Sequence, residues 1–342
     1  MDNLRERIEA LEQQMRAMGA HTRTVERRLR WWRGIACGVM LLGFVSLPLQ
    51  SGTAADKQPG GMDERMTAVE KKLSAMKFDG AANEVVISGA NLRIVNGLGR
   101  TDTTNGLGNL IVGYNESRQE NSGGAGLTTP FCTDRRTGSR NVVVGQQDNF
   151  SSVGGIVVGV QNEISGQYAS VSGGAANTAS GVSSSISGGI FNPASGLSAS
   201  ISGGGGNTAS GISASISGGG DNSASGLSSS VSGGELNLAS STVSSVSGGA
   251  GNTASGENAS VSGGAGNTAS GRFSSVSGGG SSFILNPGGQ PGTGNTASGD
   301  SSSVSGGENN TARGNFSSVS GGANRTAPAQ DNWAAGALFS DH

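Results

Sequence analysis

From residue 166 onward, apolar and small polar positions alternate with a fixed phase. A single Val or Ile stands between two serines and is followed by Gly-Gly. These anchors are Val171, Ile186, Ile201, Ile216, Val231, Val246, Val261, Val276, Val304 and Val319. They recur every 15 residues, apart from one step of 28 between Val276 and Val304. Alanine follows eight residues after each anchor, from Ala179 and Ala194 through Ala312 and Ala327, except after Val276, where the insertion delays it to Ala297. Ser-Val-Ser and Thr-Ala-Ser both have period two, the spacing of a strand, so Val and Ala are predicted to face inward and the hydroxyls outward. The Gly pairs and the Asn six residues after most anchors, such as Asn177, fit two bends, because both residue types tolerate positive φ. A fixed short period means one unit stacked on copies of itself. The prediction is two short strands and two turns per unit, wound as a flattened two-sheet roll with turns ~4.8 Å apart. A flexible Gly/Ser linker has no reason to keep a β-branched residue in one phase over ten units.

The predicted core is thin: one Val or Ile, one Ala and some Ser or Gly per turn. A lone roll of this kind is marginal, which points to self-association. Four residues before the anchor, Val182, Leu197, Ile212 and Leu227 give way to Glu257, Arg272 and Asp300. This reads either as a partner-facing stripe that becomes polar along the roll or as a variable loop tip. The long step holds an insertion at 281–293 with Phe283, Ile284 and Leu285. Insertions leave a solenoid as loops on one face, so these three residues are a candidate contact loop, unless they fold back on the roll.

Upstream, Glu84–Gly89, Leu110–Gly113, Val142–Gly145 and Ile156–Gly159 look like degenerate turns with a richer core. Between Tyr114 and Arg140 the period is lost, and a long loop with Pro130, Cys132, Arg135 and Arg136 is expected. The N-terminal part has another pattern. Leu4, Ile8, Leu11, Met15, Met18, Thr22, Val25 and Leu29 follow heptad spacing, which predicts a coiled coil over 1–30 or, alternatively, a single amphipathic helix. Trp31 and Trp32 precede an apolar run with arginines before it. This reads as a transmembrane signal anchor at 31–50 with the N-terminus cytoplasmic and the repeats periplasmic or extracellular. The alternative is a leader cleaved at Thr53-Ala54-Ala55. After a linker at 51–61, Met62, Met66, Val69, Leu73 and Met76 resume heptad spacing and predict a short coiled-coil stalk at 62–78.

The Val-Val-Val-Gly and Ile-Val-Val-Gly segments, and the recurring Val-Ser-Gly-Gly followed by Asn-Thr-Ala-Ser-Gly, resemble head repeats of trimeric autotransporter adhesins over about residues 84–327. The resemblance implies a left-handed parallel β-roll, three chains packed as a trimer, bacterial origin and adhesion. The sequence departs from that family in its 15-residue period and in the Gly after Ser172 and its equivalents. It also lacks a C-terminal membrane barrel, since 332–339 is too short for a set of spanning strands. The expected fold class is therefore an all-β solenoid with an N-terminal coiled coil and one transmembrane helix. Degenerate turns are expected at 79–165, regular turns at 166–327, and a cap at 328–342 in which Trp333, Leu338 and Phe339 cover the last turn.

Candidate chemistry changes this picture little. The only histidines, His21 and His342, stand at opposite ends, and neither has metal-ligand spacing to a partner. Gly97-Leu98-Gly99 and Gly106-Leu107-Gly108 lack the rest of a dinucleotide fingerprint. A net charge of −2 and a nearly uncharged ladder leave no nucleic-acid footprint. Cys37 and Cys132 are expected in different compartments and so unpaired within one chain. No enzyme activity and no cofactor is expected. The partners expected are further copies of the chain as a homotrimer, a lipid bilayer through 31–50, and an extracellular glycan or protein. Two alternatives are an ice-binding solenoid using the file of Thr178, Ser180 and their equivalents, and an envelope spacer with no ligand.

Overall fold

Each repeat closes one turn of a parallel β-solenoid. The computed structural model describes residues 62–118, 133–280 and 294–336. The chain divides after Ala90 into two units, each described here by itself.

The first unit holds α1 (Met62–Leu73), the only α-helix among the described residues, and an antiparallel hairpin of β1 (Met76–Asp79) and β2 (Glu84–Ile87). Asp63 and Glu64 lie in the first turn of α1 and Lys71 and Lys72 in its last, which complements the helix dipole. No residue of α1 is buried. These facts correct several expectations. The heptad positions of the expected 62–78 stalk divide, because the helix ends at Leu73 and Met76 begins a strand. The segment expected as a degenerate turn at 84–89 is instead a hairpin arm, with Met76 paired to Ile87. The expected coiled coil at 1–30 and membrane span at 31–50 lie outside the described residues. Among those described, no helix is long and apolar enough to cross a membrane. The fold class is accordingly corrected to a parallel β-solenoid preceded by one short helix and a hairpin, and the single-pass membrane localisation is withdrawn.

The second unit contains two sheets. Among the described residues one has fourteen strands and the other twelve. The first sheet runs from β3 (Leu110–Val112) through β4 (Val142–Gln146), β6 (Ile156–Val160) and β8 (Ser170–Val171) to Trp333–Ala334. The second runs from β5 (Asn149–Phe150) through β7 (Glu163–Ile164) and β9 (Thr178–Ala179) to Thr326–Ala327. Neighbouring strands lie one turn apart in parallel register, as in Val231↔Val246 and Ala239↔Ala254. The expected insertion does not disturb this register, since Val276 pairs with Val304 and Ala269 with Ala297.

The inward and outward faces follow the period-two pattern. The ten anchors are at most 1 % exposed and their partner alanines likewise. In the first turns larger residues take the alanine place, with Phe150 paired to Ile164 and Ile164 to Ala179. Asparagine has a different role from the one its turn propensity suggests. Asn177 and its equivalents are 0–1 % exposed, and in the uninterrupted turns the left-handed conformation falls on the residue before the asparagine, such as Ala176, Phe191 and Leu236. Asn237 shows the reason. Its backbone N–H donates to Asn222 Oδ1 at 3.0 Å, its Nδ2 donates to the carbonyls of Gly233 and Gly249 at 2.9 Å each, and its Oδ1 accepts from Asn252 N–H at 3.0 Å. This buried ladder supplies partners to corner carbonyls and amides that no strand reaches.

The Gly pair divides its duties. Gly234 has φ of 85°, and a Cβ there would overlap the Gly249 carbonyl and come within 2.6 Å of Asn237 Nδ2. At Gly233 a Cβ would meet nothing within 4 Å. Only the second glycine is required by the close stacking of corners.

Candidate functional site

The corner four residues before each anchor is the feature that most departs from a closed surface. Gly181-Val182-Ser183-Ser184 forms a tight turn, with Ser184 N–H donating to Gly181 C=O at 3.1 Å and Ser183 at φ of 56°. Corners stack through one further bond each. Ser198 N–H donates to Val182 C=O, Ser213 to Leu197, Ser228 to Ile212 and Val243 to Leu227, all at 2.8–2.9 Å. The side chains of Val182, Leu197, Ile212 and Leu227 are thereby aligned at strand spacing, and they are 42–51 % exposed. Tyr168 and Val243, one residue on in their corners, flank the file and are also exposed.

Further along, the same position carries charge, and its groups satisfy one another. Arg272 Nε lies 3.2 Å from Glu257 Oε2, its backbone N–H donates to Asp300 Oδ1 at 3.1 Å, and its guanidinium stacks 4.9 Å from the centroid of Phe273. The polar half is internally paired, whereas the apolar half meets water. Of the candidate contact residues, Phe283, Ile284 and Leu285 lie outside the described residues. The repeat anchors, from Val171 to Val319, are brought together as core and are not a surface.

Sequence reasoning missed a second constellation, at the start of the solenoid. Part of the expected 114–140 loop is integral to the first turns. Phe150 N–H donates to Arg135 C=O at 2.8 Å, and Ser139 bridges to Val153. Arg118 is buried, with Nε donating to Gln147 C=O at 2.7 Å and Nη2 donating to Gln161 and Asn162 C=O at 2.7 and 2.9 Å. It ties two turns together where the asparagine ladder begins. Burial lowers its pKa from the ordinary arginine value, and Glu163 is the strongest opposing charge.

Asp148 occupies the ladder position that Asn162 and later asparagines hold. Its Oδ1 accepts from Asn162 N–H at 2.9 Å, but its Oδ2 is buried with no hydrogen-bond partner. Burial pushes this carboxyl up to about 7, against the pull of the Asn162 N–H and of Arg118 and Arg136. The only advance signal was an Asp where every regular unit from Val171 to Val304 keeps Asn.

Among the described residues, no group of three or more His, Cys, Asp or Glu side chains is placed to hold a metal ion. No protein-family model matches the chain, and no curated protein matches it. The likeness to adhesin head repeats therefore stands on the repeat motif and the parallel solenoid alone.

Proposed function

We propose that this protein is a non-enzymatic solenoid that associates with two further copies of itself and presents its repeated surface to a glycan or protein, as an adhesin-like module or scaffold. The observation that carries this reading is the file of Val182, Leu197, Ile212 and Leu227 on four successive corners, exposed and aligned by the backbone. A contiguous apolar patch of this kind marks an interaction site. Its replacement by internally paired charge beyond Glu257 limits the contact to the first half of the regular turns. The ice-binding alternative is weaker, because Pro193 and Leu238 break the outward Thr/Ser file at paired register positions.

Sedimentation of the full chain tests the reading. The unaltered protein is expected to be a trimer at micromolar concentration. The double variant Leu197→Glu, Ile212→Glu is expected to be a folded monomer, since both side chains are half exposed and their removal leaves the core intact. A monomeric unaltered chain, or a trimer indifferent to the double substitution, would overturn it.

A further inference from the structure

A cavity of about 360 Å³ is lined by residues of the stretch 93–101, which precedes the first solenoid strand, and by Arg140, which follows it; three of its eight lining residues are arginines. Arg93, Arg100 and Arg140 border it, together with Asn96, Gly97 and Thr101. We propose that this cavity binds a small organic molecule through an oxyanion, that is, a carboxylate, sulfate or phosphate group. The proposal is independent of the self-association argued above.

Three observations support it. The first is charge. Among the described residues, the only carboxylate paired with these arginines is Asp102, which takes Arg100 at 3.1 and 2.7 Å. Three guanidinium groups therefore face one carboxylate. The second is positioning. Arg140 has φ of 58° and is half-buried. Its Nη1 donates to Arg100 C=O at 3.0 Å and its Nη2 to Thr103 C=O at 3.3 Å. Both partners are neutral carbonyls, so the group is held in place with its charge unmatched. The third is availability. The guanidinium of Arg93 has no hydrogen bond or ion pair among the described residues, while the planar fork of arginine suits oxyanions.

The walls are fixed before any ligand arrives. Asn96 is buried, and its Nδ2 donates to Thr103 C=O and Oγ1 at 2.9 and 3.0 Å. Its Oδ1 accepts from Leu98 N–H at 3.1 Å, and its carbonyl accepts from Asn105 Nδ2 at 2.9 Å. Thr103 Oγ1 in turn donates to Arg100 C=O at 2.9 Å. This closed network holds the loop that carries Arg100 against Arg140. The cavity volume lies at the lower end of the range for small-molecule sites.

Calorimetric titration of the full chain at low ionic strength tests the proposal, with sulfate, phosphate and glucuronate as probes and glucose as a neutral control. Saturable binding is expected for at least one anion and not for glucose, and the preferred anion identifies the group recognised. Arg93→Gln should weaken that binding by about tenfold or more, the effect of losing a charge-assisted contact. Its unliganded melting temperature should not change, because Arg93 is exposed and has no hydrogen bond or ion pair among the described residues to lose. Asp102→Asn should tighten binding several-fold by freeing the Arg100 fork, a direction that damage to the fold would not produce. No saturable binding of any anion, equal binding of glucose, an Arg93→Gln affinity equal to that of the unaltered chain, or unchanged or weaker binding in Asp102→Asn would each overturn it.

Discussion

Val231 and Ser232 are neighbours in one turn with opposite fates. Val231 is 1 % exposed and lies between Ile216 and Val246 in register, while Ser232 faces water. Val231→Asp places a charge among stacked aliphatic side chains with no partner, so it should cost several kcal/mol, about 4 or more. Ser232→Asp should cost about 0.5 kcal/mol or less, the usual range for an open surface position. Chemical denaturation of the two variants decides the matter. Equal losses would mean that the inward and outward faces are reversed.

Asp148 makes a residue-scale prediction with a pH signature. An unfolded aspartate titrates at ~3.9, whereas the buried carboxyl is pushed up to about 7. Between those values the folded state keeps a proton that the unfolded chain has released. Stability therefore falls as pH rises through that window, and the loss is complete above it. Asp148→Asn supplies the amide that the other ladder positions use. It should stabilise the protein by about 1–3 kcal/mol at pH 8, the cost of an unsatisfied buried group, and by much less at pH 4. Melting curves at the two pH values check this. An equal gain at both, or a loss at pH 8, would mean that Oδ2 is satisfied in another way.

At the scale of the element, the strands were legible because their phase repeats ten times. A two-residue strand such as Ser230–Val231 carries almost no signal by itself, but Ser-Val-Ser in strict phase does. The buried ladder was partly legible. Asn stands six residues after each anchor from Asn177 to Asn267, yet a turn propensity and a buried ladder predict the same residue at the same place. Only the neighbours' left-handed φ values separate the two. The β1–β2 hairpin was not legible, because Met76 fits a helical heptad as well as a strand edge. Nor was Arg118, which ties Gln147, Gln161 and Asn162 from a stretch with no period. The exposed corner file was visible as an apolar position turning polar. Its alignment depends on corner-to-corner hydrogen bonds that a sequence does not display.

On the scale of the whole molecule, two kinds of region divide the work. The regular turns repeat a register, and the first turns mark where that register begins. Arg118, Asp148, Phe150 and Ile164 occur once each in their places, so a chain displaced by one full repeat would leave them mismatched. Among the regular turns such displacement meets equivalent partners everywhere except at the corners. Removing residues 212–226, one whole repeat, should therefore leave a cooperatively folding protein. Its denaturant dependence should be slightly shallower, since less surface is exposed on unfolding. Removing residues 212–218 should destabilise the protein far more, because it takes out the strand Ser215–Ile216 and leaves surplus chain that a corner must hold before Val231 can pair. Circular dichroism with urea titration checks both, and a short-deletion variant as stable as the full-repeat deletion would refute the fixed register.

The uninterrupted pairing of Val276 with Val304 across the insertion shows that a corner accepts additional chain without loss of register. The consequence reaches the gene. Near-identical units invite unequal crossing-over, and an exchange that adds or drops fifteen codons yields another sound protein of altered length. Recombination that cuts a strand out of step with that unit yields a misfolded chain, whereas an addition at a corner, like the one between Val276 and Val304, is accepted. The spacing of the anchors thus acts as a filter on inheritance, in which copy number drifts freely while the reading phase of the repeat is held.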